Sequence, residues 1–246
     1  MTVEMDADAA GCVTRFRQVG FVRLPTLSDA AELAWLTSVF ERLVASRVGA
    51  RSFRDLAAPA SNDAAPKLPQ ILKPEVDVPE LLDTAAAAGA RAWAATLLDT
   101  PVADLDYFGH IILKPAHDGV PTPWHQDEAY WDPRWQRRGV TIWMPLRDAT
   151  LDNGCLQFVP GSHLRGVGPH RHIGGDDDVE GLEVVNVPTE NIEPCPLPAG
   201  AVSAHHVRTL HYADGNRTEH SRWAYIHVFS TRAEQVDTPT PRPWLA

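Results

Sequence analysis

Cysteine is scarce in this 246-residue sequence: Cys12, Cys155 and Cys195 are odd in number, far apart and never in a C-x-x-C spacing. That excludes a zinc knuckle and a disulfide framework, and makes three reduced, buried thiols the expectation. Basic clusters are missing too. Lys+Arg number 22 against 32 Asp+Glu, a formal net charge of −10, which is the wrong sign for a nucleic-acid backbone or an anionic membrane surface. No apolar run approaches the ~20 residues of a membrane-spanning helix; the most apolar stretch, residues 84–98, carries Arg91. The opening MTVEMDADAA is acidic and has no basic region, so no secretory leader is expected. These absences point to a cytoplasmic protein, monomer or homodimer, whose partner is a small molecule.

A hydrophobic share of 44% and a mean hydropathy of −0.23 fit a globular chain long enough for one well-buried core. Residues 13–25 read as a strand ending at Pro25. Ser28-Asp29 caps a helix from Ala30 to about Arg47, with Leu33, Leu36, Phe40, Leu43 and Val44 at helical spacing. Residues 49–66 lack periodicity and read as a loop. Residues 67–73 make a short strand despite Pro69, and Pro79 opens a second helical stretch that runs through residues 85–98. Beyond residue 101 the pattern changes to short runs of β-formers separated by Pro, Gly and Asp turns, which predicts a sandwich or barrel. Residues 165–198, with GGDDD and five prolines, form a long excursion of the kind that serves as an active-site lid. The expectation is one domain over 1–246: a helical cover over roughly 1–101 and a β core over roughly 102–246.

Within PTPWHQDEAYW, His125 and Asp127 stand two residues apart. In extended backbone such residues share a face, so imidazole and carboxylate converge. Far downstream His211 offers a second imidazole, and Arg222 follows eleven residues later, beyond the turn-forming Asp214-Gly215-Asn216. Two histidines and one carboxylate on one face leave open positions on a non-haem Fe(II) for substrate and O2. The arginine fork suits the far carboxylate of a dicarboxylate co-substrate. The turn places His211 and Arg222 on paired or neighbouring strands. The sequence holds 11 histidines, and His205 and His206 compete with His211 for the distal position. His170 and His172, in the excursion, read as solvent-exposed.

Three fragments in order, LKPAHDGVPTPWHQDEAYW, DNGCLQFVPGSHLRG and AGAVSAHHVRTLHYADGNRTEHSRWAYIHVF, resemble the phytanoyl-CoA dioxygenase family of Fe(II)/2-oxoglutarate oxygenases. The resemblance covers roughly residues 107–229. It implies a mainly β fold with helical cover, a double-stranded β-helix (jelly roll, cupin-like). It also implies His125, Asp127 and His211 as iron ligands, Arg222 as the 2-oxoglutarate anchor, Trp143 as a wall of the 2-oxoglutarate pocket, and Lys67 as a further co-substrate contact. Trp143 alternates with Ile142 and Met144, but strand periodicity does not say which face looks inward. Two positions depart from the family pattern. Ala213 stands where relatives carry a small hydroxyl residue, and Ala201 where an acidic residue often follows glycine. Related halogenases lack the metal carboxylate, so Asp127 implies hydroxylation or another outcome of C–H abstraction on a small organic molecule, with natural-product tailoring as a setting. The alternatives are a metal-holding jelly-roll module without turnover and a cupin-type dioxygenase that uses no 2-oxoglutarate.

Overall fold

The computed structural model describes residues 8–46, 52–57, 66–117 and 119–245. The chain opens with helix α1 (Ala9–Val19), capped by the Asp8 side chain, which accepts from the amides of Ala10 and Gly11. Its end is set by Gly20 at φ 89°, whose N–H donates to the Phe16 carbonyl, a left-handed cap that glycine adopts without penalty. The sequence reading of residues 13–25 as one strand is thus wrong in its first half. The apolar set Cys12 and Phe16 is the buried stripe of a helix, and only β1 (Phe21–Leu24) is extended. Helix α2 (Ala30–Ser46) runs as expected, with Asp29 accepting from the Glu32 amide. Glu32 in turn accepts from the amides of Ala85 and Ala86 at 2.7 and 2.9 Å. A carboxylate thereby satisfies the open N-terminus of helix α3 (Ala85–Leu98). Of the loop expected at 49–66, the described part contains a three-residue strand, β2 (Phe53–Asp55); the remainder lies outside the described residues. It pairs with β3 (Pro69–Leu72), the strand anticipated despite its proline.

The remaining strands used below are β4 (Leu105–Lys114), β5 (Thr122–His125), β6 (Gly139–Pro145), β7 (Leu156–Phe158), β8 (Glu193–Cys195), β9 (Val202–His206), β10 (His211–Ala213) and β11 (Arg222–Thr231). They form two antiparallel sheets, in the orders β1-β9-β6-β11-β4-β3-β2 and β8-β7-β10-β5. The helices cover the outer face of the large sheet, and the two sheets enclose a cavity between them. Strand β11 shows how sequence alternation sorts the faces: Trp223, Tyr225 and Phe229 join the core against the helices, while Arg222, Ile226, Val228 and Ser230 line the cavity. A double-stranded β-helix with a helical cover is the fold expected of the sequence. All three cysteines are buried. Among the described residues no helix is long and apolar enough to cross a membrane.

The stretch 165–198 is more structured than a free excursion. His170–His172 pairs with Leu182–Val184 as a hairpin, and β8 is the edge strand of the small sheet.

Candidate active site

His125 ends β5, Gln126 continues extended at φ −123° and ψ 131°, and Asp127 opens a short 3-10 turn over Asp127–Tyr130. The i, i+2 convergence therefore holds even though the strand stops one residue short of the intermediate position. His211 begins β10, directly opposite His125 in the register. One ligand atom from each of His125, Asp127 and His211 lies within 4.8 Å of the others. Nε2 of His125 and of His211 stand 3.6 and 3.5 Å from Oδ1 of Asp127.

Tautomers follow from the second nitrogens. Nδ1 of His125 donates to the Pro123 carbonyl at 2.8 Å and Nδ1 of His211 to the Thr209 carbonyl at 2.9 Å. A carbonyl only accepts, so each ring carries a proton on Nδ1 and turns Nε2 to the common point. Burial, seconded by the neighbouring His125, holds His211 well below its ordinary pKa, so it stays neutral. Burial pushes Asp127 up, but the surrounding histidines outweigh it and keep the carboxyl well below the usual range. Its Oδ2 is occupied by other donors: Thr141 Oγ1 at 2.5 Å and His205 Nε2 at 3.2 Å. Two imidazole nitrogens and one carboxylate oxygen aimed at one point fit a divalent transition metal.

Strand β9 sends its two histidines, the alternatives to His211, to opposite faces. His205 faces the cavity, whereas His206 packs against Phe16 and His163 on the opposite face. Of the pair expected to be exposed, His170 is buried. Its Nδ1 donates to the Gly168 carbonyl, which leaves Nε2 to accept from the amide of Gln126, between the metal-facing residues. The excursion is tied to the site by this bond.

Arg222 and His211 do not lie on paired strands, contrary to the reading of the intervening turn. His211 belongs to the small sheet and Arg222 to the large one, so residues 214–221 carry the chain across the sandwich. The crossing is fastened by Asn216, whose amide donates to the carbonyls of Lys114 and His220. Arg222 is 2% exposed and lines the same cavity as the metal-facing residues. Its Nε donates to the Asn153 carbonyl at 3.0 Å, its guanidinium lies 5.0 Å from the Trp143 ring centroid, and Nη1 is buried with no hydrogen-bond partner. Burial lowers its pKa to about 10, so it remains charged at neutral pH. A buried guanidinium N–H without an acceptor is costly, and a carboxylate in the cavity removes that cost.

Trp143 is 4% exposed and belongs to the cavity side of β6, while Ile142 and Met144 lie in the core under the helices. Lys67 is not brought to the site. It is exposed at the edge of the described segment, outside the cavity lining, with its amide donating to Asp55. The cause is the strand start at Pro69: Gln70, three residues on, is the buried polar residue that faces the cavity. Sequence reasoning missed Thr141 as well. Its signal was available, because it stands two residues from Trp143 on β6 and so shares its face.

The cavity measures about 430 Å3, within the range of small-molecule sites. Fold and site together define a jelly-roll protein with a two-histidine, one-carboxylate centre and a buried arginine in the same cavity. The model of the phytanoyl-CoA dioxygenase (PhyH) family matches residues 16–224, and the chain belongs to that family. A solved structure of EvdO2 from Micromonospora carbonacea var. aurantiaca, complexed with 2-oxoglutarate, is 42% identical with a TM-score of 0.85, each chain covering 100% of the other. Phytanoyl-CoA dioxygenase domain-containing protein 1 of Mus musculus is 31% identical over 122 residues, 48% of this chain and 42% of that protein. L-proline trans-4-hydroxylase of Streptomyces griseoviridis is 29% identical over 171 residues, 62% of this chain and 63% of its own length. The chain thus spans about half the length of the first of these curated relatives.

Proposed function

We propose that the protein is an Fe(II)- and 2-oxoglutarate-dependent dioxygenase that oxidises a small organic molecule. The observation that carries this reading is the meeting, in one cavity, of the His125–Asp127–His211 donor set with the unpaired Nη1 of Arg222. His125, Asp127 and His211 would hold the iron, and Arg222, over Trp143, the distal carboxylate of 2-oxoglutarate. When bound, the iron supplies the oxidising power by coupling O2 to decarboxylation of 2-oxoglutarate.

The chain's own groups do the positioning. The Nδ1 bonds of both histidines fix their ring orientation, Thr141 and His205 hold Oδ2 of Asp127 so that Oδ1 faces inward, and Trp143, Leu156 and Ile226 keep water from the deep end. A jelly-roll module without turnover, or a cupin-type enzyme without 2-oxoglutarate, gives no role to a buried arginine aimed into the cavity. The complex of EvdO2 with 2-oxoglutarate supports the assignment, and the name of the proline hydroxylase supports a small-molecule substrate. Natural-product tailoring is the proposed setting and the cytoplasm the proposed location.

The test is oxygen consumption and succinate release by the purified protein with Fe(II), 2-oxoglutarate and air. Uncoupled turnover that disappears in Asp127→Ala is the expected result. Metal binding without any 2-oxoglutarate binding or consumption would sink the proposal.

A further inference from the structure

Three arginines line the cavity, and two are accounted for. Arg222 lies at the deep end over Trp143. Arg54, at the mouth, pairs with Glu180 at 2.6 Å. The third, Arg137, is half-buried and forms no ion pair with a carboxylate among the described residues. Its Nε is buried without a hydrogen-bond partner. Its guanidinium carbon lies 4.6 Å from the centroid of the Trp131 ring, and both residues line the cavity.

This arrangement has a chemical consequence. Its place over the indole holds the guanidinium by cation–π attraction, while Nε is left without a hydrogen-bond acceptor. Such a fork is pre-oriented for a planar or tetrahedral oxyanion and has little rotamer freedom left to lose. The walls between it and the metal-facing residues are mostly apolar, with Leu72, Phe108, Ile112, Leu182 and Val228 among them. Among the polar residues of the lining, Gln70 carries no charge and His110 is neutral, burial lowering its pKa to about 4. Of the two acids at the mouth, Glu180 is committed to Arg54, and Asp106 is exposed, where solvent screens it.

We propose that Arg137, held on Trp131, is the substrate anchor at the mouth of the cavity, taking a carboxylate or phosphate at one end of an otherwise apolar substrate. The inference rests on the reading of the cavity as an oxygenase site, and it assigns Arg222 and Arg137 to different anions: the co-substrate deep, the primary substrate at the mouth.

The probes are three compounds on one apolar body: 4-phenylbutyrate, 4-phenylbutyl phosphate and the neutral 4-phenylbutyramide. Each is titrated calorimetrically into the full chain loaded with Ni(II) and saturating 2-oxoglutarate, which blocks Arg222. At least one oxyanion is expected to bind about tenfold or more tighter than the amide, the worth of one charge-assisted bond; which one it is separates the two sources. In Arg137→Gln that preference falls to within about twofold, while 2-oxoglutarate affinity is unchanged. No oxyanion preference in the wild type, or the same preference in Arg137→Gln, overturns the proposal. Failure of 2-oxoglutarate to bind the wild type strikes the reading of Arg222 instead; the oxyanion preference of Arg137 is then read in the Ni(II) protein alone.

Discussion

His205 Nε2 stands 3.2 Å from Oδ2 of Asp127, on the oxygen that the other two histidines do not face. A carboxylate only accepts, so this nitrogen carries the proton and has no lone pair for a metal. On the proposed reading His205 is therefore a positioning residue, and His211, whose Nε2 is not engaged by a carboxylate proton bond, is the ligand. Replacing His211 with Ala is expected to abolish divalent-metal binding, and His206→Ala to leave it unchanged. His205→Ala should weaken it by about tenfold, the lower end of what a lost partner of a metal ligand costs. Calorimetric titration with Co(II) measures all three, and a His206 variant that loses metal while His211→Ala keeps it would reverse the assignment.

Arg222 offers a charge-assisted fork to a carboxylate in a largely dry pocket. Such bonds contribute roughly 1.5–3 kcal/mol net, so truncation to Ala should weaken 2-oxoglutarate by about 10- to 150-fold. Arg222→Lys keeps the charge but loses the fork and should fall between. Metal affinity in the absence of co-substrate should not move. The readout is the absorption band that appears as 2-oxoglutarate is titrated into the anaerobic Fe(II) protein; unchanged affinity in Arg222→Ala would place the anchor elsewhere.

Much of the site was legible because its residues sit on short extended stretches, where alternation and spacing translate directly into shared faces. His-x-Asp works as a motif even though Asp127 already belongs to a 3-10 turn, since only Gln126 need be extended. What spacing does not carry is which sheet a strand joins. The Asp-Gly turn before Arg222 looks like a hairpin but crosses between sheets, because β11 finds its partners in β4 and β6. The reading of residues 13–25 as one strand fails over 13–19 because Val13, Phe16 and Val19 recur at helical spacing, and the decisive signals of α1 are the Asp8 and Gly20 caps. Lys67 enters by resemblance alone, and no local signal places it in the cavity.

Acid should destabilise the fold in a defined window. His227 is 1% exposed, with its pKa lowered by burial to about 3, and His170 is 5% exposed, lowered by burial to about 4. The unfolded chain binds a proton at each near pH 6.5 and the folded chain does not. Their contribution is thus complete above 6.5 and lost as pH falls from there towards 4 and 3. Each contributes a slope of about 1.4 kcal/mol per pH unit in that window. His227→Phe is expected to flatten the fall in urea-melt stability between pH 6 and 4, and an unaltered slope would show that His227 is protonated in the fold.

The hairpin of His170–His172 and Leu182–Val184 reaches the cavity through Leu182 and Ile173 and is latched at the mouth by the Arg54–Glu180 pair. As a lid, it should be the first point of limited proteolysis, in the exposed residues 174–178. Metal with 2-oxoglutarate and substrate should slow that cut. Equal cleavage with and without ligands would remove the lid.

The C-terminal segment is tied to the turn that begins with Asp127. Arg242 Nη1 donates to the carbonyls of Glu128 and Trp131, Nη2 donates to the Glu128 carboxylate at 3.1 Å, and Trp244 Nε1 donates to the Ala129 carbonyl at 2.9 Å. Glu128 is held from its other side by Arg208 at 2.6 and 3.0 Å. The turn that begins with Asp127 therefore has its carbonyls satisfied by a segment more than a hundred residues away. Removing one partner of a buried pair costs about 3–5 kcal/mol; since Arg208 stays on Glu128, Arg242→Ala should lie nearer 2–3, a fall of several degrees in Tm. The sharper expectation is for metal. If the strap positions Asp127, Co(II) affinity should fall about tenfold in Arg242→Ala and recover in part in Arg242→Lys, which can still reach one carbonyl. A lower Tm with unchanged metal affinity would make Arg242 a fastening of the fold alone, with Asp127 held by Thr141 and His205.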